Sequence, residues 1–184
     1  LVLAPFAMVF GGVAQFLAGM WAYRARDGLA TAMHGMWGSF WIAYGILNIM
    51  LATGTLKAAT PWYHDPALGF WFFALAVITA SGALASLGES LGVFGVLATL
   101  AAGSGIFAGA LIAGSHGWAT TAGWVFVGSA GLAWYTATGM MLLSATGRTI
   151  LPLFKYSTAS NRPGAKPTRT IELDWAEPGI KKGQ

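Results

Sequence analysis

An all-α integral membrane bundle is the fold class that this sequence predicts, and three observations carry the prediction. Of 184 residues, 56% are hydrophobic and only 9% are charged, against about 25% charged in a soluble domain. The charges are also gathered: between Leu1 and Thr146 the only Lys, Arg, Asp or Glu residues are Arg24, Arg26, Asp27, Lys57, Asp65 and Glu89. The apolar runs between those breaks are about 20 residues long, which is what a helix needs to cross the hydrocarbon core. Helix is the form expected there because lipid cannot satisfy an open backbone. A barrel would need alternating segments of about ten residues, and the sequence shows none.

The breaks divide the chain into five spans, residues 1–23, 29–53, 67–88, 91–114 and 118–145. The first ends in the basic stop Tyr23-Arg24-Ala25-Arg26; with no basic leader ahead of its apolar run, it does not read as a signal peptide. Gly11, Gln15, Ala18 and Gly19 form its expected small-residue face. The second span holds a similar small pair, Gly35 and Ser39, and the fourth holds Gly105-Ile-Phe-Ala-Gly109. Small residues let helices approach closely where lipid supplies no hydrophobic drive for association. Trp21, Trp62, Trp118, Tyr23 and Tyr63 fall at span ends, where amphipathic rings favour the headgroup layer. Residues 1–154 thus form the transmembrane region, and 155–184 form a basic, Pro- and Gly-containing tail expected to be disordered and to touch anionic lipid weakly.

Placing the Arg24/Arg26 loop in the cytoplasm puts nine of the ten Lys and Arg residues on that side, leaving only Lys57 outside. This is the asymmetry of the positive-inside rule, and it puts the C-terminus in the cytoplasm. The N-terminus then falls outside, with Leu1 already inside a span. The expectation is a fragment, with at least one further span ahead of it.

Polar residues inside the spans narrow the chemistry. His34, Trp37, Trp41, Tyr44 and Asn48 are spaced three, four, three and four apart, which puts them on one helical stripe. Such a stripe suits a hydrated pathway. It equally suits a helix–helix seam with each polar atom paired locally, and the spacing alone favours the seam. Gln15 could hold a carboxylate oxygen or bridge to a neighbouring helix, since an amide donates and accepts. No Asp, Glu, Lys or Arg lies within a span core, so the carboxylate relay of many pumps has no residues here. Three scattered histidines and no cysteine argue against haem, zinc or a disulfide framework, and no cofactor is expected. No Ser–His–acid set shares a depth, so the chain does not read as an enzyme.

Three segments, GGVAQFLAGMWAYR (11–24), WGSFW (37–41) and GRTILP (147–152), resemble in order and separation the acetate uptake transporter family. The likeness runs from about Leu1 to Phe154. It implies a six-helix protomer of which these spans are helices two to six, a homo-hexamer in the plasma membrane, and passage of acetate and in some members succinate, commonly with protons. The family's Asn-Pro…Pro-Leu-Gly signature does not occur in this chain. By match to the family pattern, Gln15 lies beside the substrate path and Trp37 stands where relatives have a pore-narrowing tyrosine. Leu100, after Thr99, falls in the same constriction, and Ala133 aligns with a small residue that bears on substrate size. Trp37 departs from the pattern by losing a hydroxyl and adding bulk. Trp37 and Leu100 lie roughly 12 and 15 Å into their spans from the cytoplasmic side, at nearly one depth. His34 titrates in the range of a proton switch, but the family pattern does not support that role.

The resemblance favours a transporter or channel for small carboxylates, with the bilayer, the acid and further copies of the chain as partners and no nucleic acid. Two alternatives stay open: a membrane sensor or scaffold without transport, and a pore for ammonium or a neutral solute.

Overall fold

In the computed structural model, residues 2–155 are described, together with the backbone of 170–171 and 180–181. The expected disorder of the tail concerns residues that lie, for the most part, outside the described ones. Two short strands, Thr170–Ile171 and Ile180–Lys181, pair there. Among the described residues, five helices are long and apolar enough to span a membrane: α1 (Ala4–Arg24), α2 (Gly28–Ala52), α3 (Pro66–Ser86), α4 (Leu91–Ala113) and α5 (His116–Thr146). Their bounds depart from the sequence expectation by at most three residues. The chain is a multi-pass membrane protein. Its helices form two compact units, α1–α2 before residue 60 and α3–α5 after it.

Local chemistry sets the helix starts. Asp27, Asp65, Ser90 and Ser115 each precede a helix and accept from a backbone N–H three residues on: Ala30 at 2.8 Å, Leu68 at 3.1 Å, Val93 at 3.1 Å and Trp118 at 3.4 Å. A cap of this kind is worth about 1 kcal/mol. Gly114 (φ 68°) and Gly147 (φ 67°) end α4 and α5 in the left-handed conformation that side chains resist. At 31 residues, α5 is about 46 Å long, more than the ~30 Å hydrocarbon core requires.

In the first unit the helices meet almost backbone to backbone. A Cβ on Gly38 would lie 2.6 Å from the Phe16 nitrogen, and one on Gly19 2.8 Å from the Gly35 nitrogen. Gly12 and Gly45 are closed in the same way, by Ile42 and by Met8. The buried glycines of α1 are therefore Gly12 and Gly19, while Ala18 is exposed. Residues Ala7–Ala14 are wound as a π-helix, more loosely than the α-helical turns that follow. Of the expected small-residue face, Gly11, Gln15 and Gly19 lie against α2, and Ala18 does not.

In the second unit α3, α4 and α5 run up, down and up through tight turns at 87–90 and 114–115, with α4 packed against both neighbours. Phe72 meets Phe107 edge-on at 4.8 Å, and Phe107 continues to Phe126 at 6.3 Å. Gly103 makes room for Phe126, and Gly109 for Trp118. After Gly147 the chain folds back as a strap. Its Phe154 and Leu153 carbonyls accept from the Leu91 and Gly92 N–H groups at 3.1 and 3.4 Å, two donors that helix α4 cannot itself satisfy. Tyr135 donates its hydroxyl to the Pro152 carbonyl at 2.9 Å, and Leu153 is buried.

Candidate functional site

In the first unit Gln15 opens the α-helical half of α1, directly after the π-helical stretch. Its Nε2 lies 3.5 Å from His34 Nδ1 on α2, at the outer limit of a hydrogen bond. The amide donates when that nitrogen carries no proton. Gln15 is half-buried and His34 is exposed, so the pair crosses the helix seam and keeps an open side. This joins two residues that the sequence placed on separate helices with no stated relation. Near the α1–α2 turn, Met20, Tyr23, Arg24, Arg26, Gly28 and Thr31 line an open hollow.

The stripe on α2 divides into parts. Trp37 is 5% exposed and meets Phe40 edge-on at 5.3 Å. Phe40 stacks on Tyr44 at 5.5 Å and meets Trp41 edge-on at 5.2 Å. Trp41 lies over Gly11, where a Cβ would stand 3.1 Å from the indole ring. Asn48 donates to the Tyr44 carbonyl of its own helix at 2.8 Å. The aromatic cluster is thus centred on Phe40, 3% exposed, which the sequence reading did not single out. Its spacing of three from Trp37 and four to Tyr44 was the available signal.

In the second unit Thr99 donates to the Gly95 carbonyl at 2.7 Å and the Val96 carbonyl at 3.0 Å, so its hydroxyl turns back on α4. Leu100 is half-buried, and its carbonyl accepts from the Ser104 hydroxyl at 2.8 Å. Across the α4–α5 seam, Ser129 reaches Val96, Leu132 lies over Gly95, and Thr136 lies beside Gly92. This register puts Ala133, half-buried, about level with Gly95, roughly 8 Å along the axis from Leu100. Leu100 and Ala133 therefore occupy successive levels rather than one ring.

The other histidines serve loops. His64 packs against Gly114, and the His116 ring lies 6.1 Å from Trp62 and 5.4 Å from Tyr63. Among the described residues, no three His, Cys, Asp or Glu side chains gather as a metal site would require.

The model of the GPR1/FUN34/yaaH family matches residues 1–156. The chain belongs to that family. Among its relatives are the succinate-acetate/proton symporter SatP of Escherichia coli K12 and a glyoxylate pathway regulator of Yarrowia lipolytica. The first is 27% identical over 157 residues, which cover 83% of this chain and 79% of that protein. The second is 29% identical over 136 residues, or 71% of this chain; the match spans about half, 48%, of the yeast protein. The fold also matches the structure of the bacterial acetate channel SatP, with a TM-score of 0.76 and 25% identity over 83% of this chain and 82% of that one. The family expected from the three sequence segments is the family found.

Proposed function

We propose that the chain conducts small carboxylates across the membrane, acetate first and succinate with it, in uptake linked to protons. One observation carries the reading: the fold agrees over most of the chain with a structure described as a bacterial acetate channel. The symporter relative supports the same substrate class and the coupling. The pathway residues in this proposal are Gln15, Trp37, Thr99, Leu100 and Ala133, each by its match to the family pattern. The stripe residues His34, Trp41, Tyr44 and Asn48 stand beside them. The protein is proposed to work in the plasma membrane as a homo-hexamer with its C-terminus in the cytoplasm.

The physical logic is that of a neutral path. Shedding water costs a carboxylate several kcal/mol unless dipoles replace it. The Gln15 amide supplies such a dipole without a fixed charge that would trap the anion. Apolar and aromatic walls along such a path narrow the way and exclude water unless solute occupies it. Weak binding along such a path favours throughput over retention.

The test is flux of labelled acetate into proteoliposomes holding the full chain, with unlabelled acetate, succinate and ammonium as competitors. Saturable uptake, reduced by both carboxylates and stimulated by an inward proton gradient, is the expected result. An intact protein that carries a labelled ammonium analogue and no acetate would point instead to an ammonium pore. An intact, folded protein that carries neither would point to a sensor or scaffold.

A further inference from the structure

Three hydroxyls bond to carbonyls of α4 between Gly95 and Leu100. Thr99 donates to the Gly95 and Val96 carbonyls at 2.7 and 3.0 Å, and Ser104 donates to the Leu100 carbonyl at 2.8 Å. Both are bonds of the helix to itself, of the kind that competes with the backbone ladder and bends a helix locally. The third comes from outside. Ser129, on α5, donates to the Val96 carbonyl at 3.1 Å. In an α-helix that carbonyl is also the acceptor for the Leu100 N–H. Ser129 is 3% exposed, so its hydroxyl is largely shielded from solvent. The bond therefore ties α5 to the turn that carries Thr99 and Leu100.

We propose that Ser129 is a positioning residue for Leu100: its bond to the Val96 carbonyl sets how far the leucine projects, and through it which acids pass. This rests on the reading of Leu100 as a pathway residue. Ser129 itself touches no substrate. Rotating a helix by about ten degrees moves a side chain at ~5 Å radius by about 1 Å. That is enough to separate a two-carbon acid from a bulkier one. Without the cross-helix bond, the turn is held only by its own hydrogen-bond ladder and by packing, and Leu100 samples a wider range of positions.

The experiment compares Ser129→Ala, Ser129→Thr and Leu100→Ala in proteoliposomes holding the full chain, with lactate and succinate competing against labelled acetate. Ser129→Ala should keep acetate flux within about twofold while lowering the lactate-to-acetate ratio of half-inhibitory concentrations about threefold, the factor an average interhelical hydrogen bond in a membrane is worth. Ser129→Thr keeps the hydroxyl and should keep the parental ratio. If Leu100→Ala shifts the ratio and Ser129→Ala does not, the positioning role is overturned and the pathway reading survives. If Leu100→Ala leaves the ratio unchanged in an active protein, the pathway reading falls and the positioning role with it. Equal shifts in Ser129→Ala and Ser129→Thr would assign the effect to packing rather than to the hydrogen bond, and overturn the proposal. A second measurement does not depend on flux. The chain contains no cysteine, so Leu100→Cys gives a single thiol. Its labelling rate should change when Ser129→Ala is added, and an identical rate overturns the role.

Discussion

Gly38→Ala tests the closest helix approach in the first unit. The added Cβ would stand 2.6 Å from the Phe16 nitrogen, 2.8 Å from its Cα and 2.9 Å from its Cβ. An ordinary contact needs 3.4 Å or more, so the two helices must separate by most of an ångström. Backbone atoms cannot swing aside as the end of a side chain can, which places the cost at the upper end of overpacking, about 3 kcal/mol. Gly105→Ala is the matched control. It also lies in a helix seam, but its Cβ would meet only Ala76, at 3.8 Å. Both substitutions gain the same ~1 kcal/mol of helix propensity, so the difference between them isolates the clash. At roughly 2–4 °C per kcal/mol for a chain of this size, Gly38→Ala should melt about 6–12 °C below Gly105→Ala. The assay is thermal unfolding of the detergent-solubilised protein followed by tryptophan fluorescence, with Trp37 and Trp41 in the affected unit. Equal melting temperatures would refute the close approach, and with it the explanation of why glycine stands at 38.

Cysteines introduced at Arg26 and Lys57 should label from opposite faces of the membrane, the first from the cytoplasm. Labelling of both from one face would break the alternation on which the orientation rests. Trp37→Tyr introduces a hydroxyl at this position and should shift competition towards acetate over lactate and succinate; an unchanged profile in an active protein would argue against the proposed place of Trp37 in the constriction. Tyr135→Phe deletes the bond to the Pro152 carbonyl and should cost about 1 kcal/mol, read as a melting temperature lower by roughly 2–4 °C. A strap held by Leu153 alone would show no such loss.

What the sequence made legible follows from how strongly each feature is fixed by local chemistry. The five spans could be read because charge cannot stay in hydrocarbon, so Arg24, Asp65 and Glu89 mark the ends whatever the tertiary arrangement. The seam of the first unit was legible in part: Gly11, Gln15 and Gly19 of the expected face meet α2, while Ala18 is exposed and Gly12, inside a π-helical stretch, is closed as well. Winding of that kind has no compositional signature. The site is split along the same line. The sequence posed Gln15 as pathway or bridge, and the structure leaves it half-buried and 3.5 Å from His34. A contact that long holds the amide weakly. Its free energy of release is then small compared with the cost of stripping water from a carboxylate. Under the proposed function, an amide so held would turn to a passing anion and return to the histidine after it leaves. A tighter bridge, at 2.8 Å to a buried partner, would make Gln15 a structural residue; under the proposed function, the looseness of the pair is what would leave the amide free to meet a substrate.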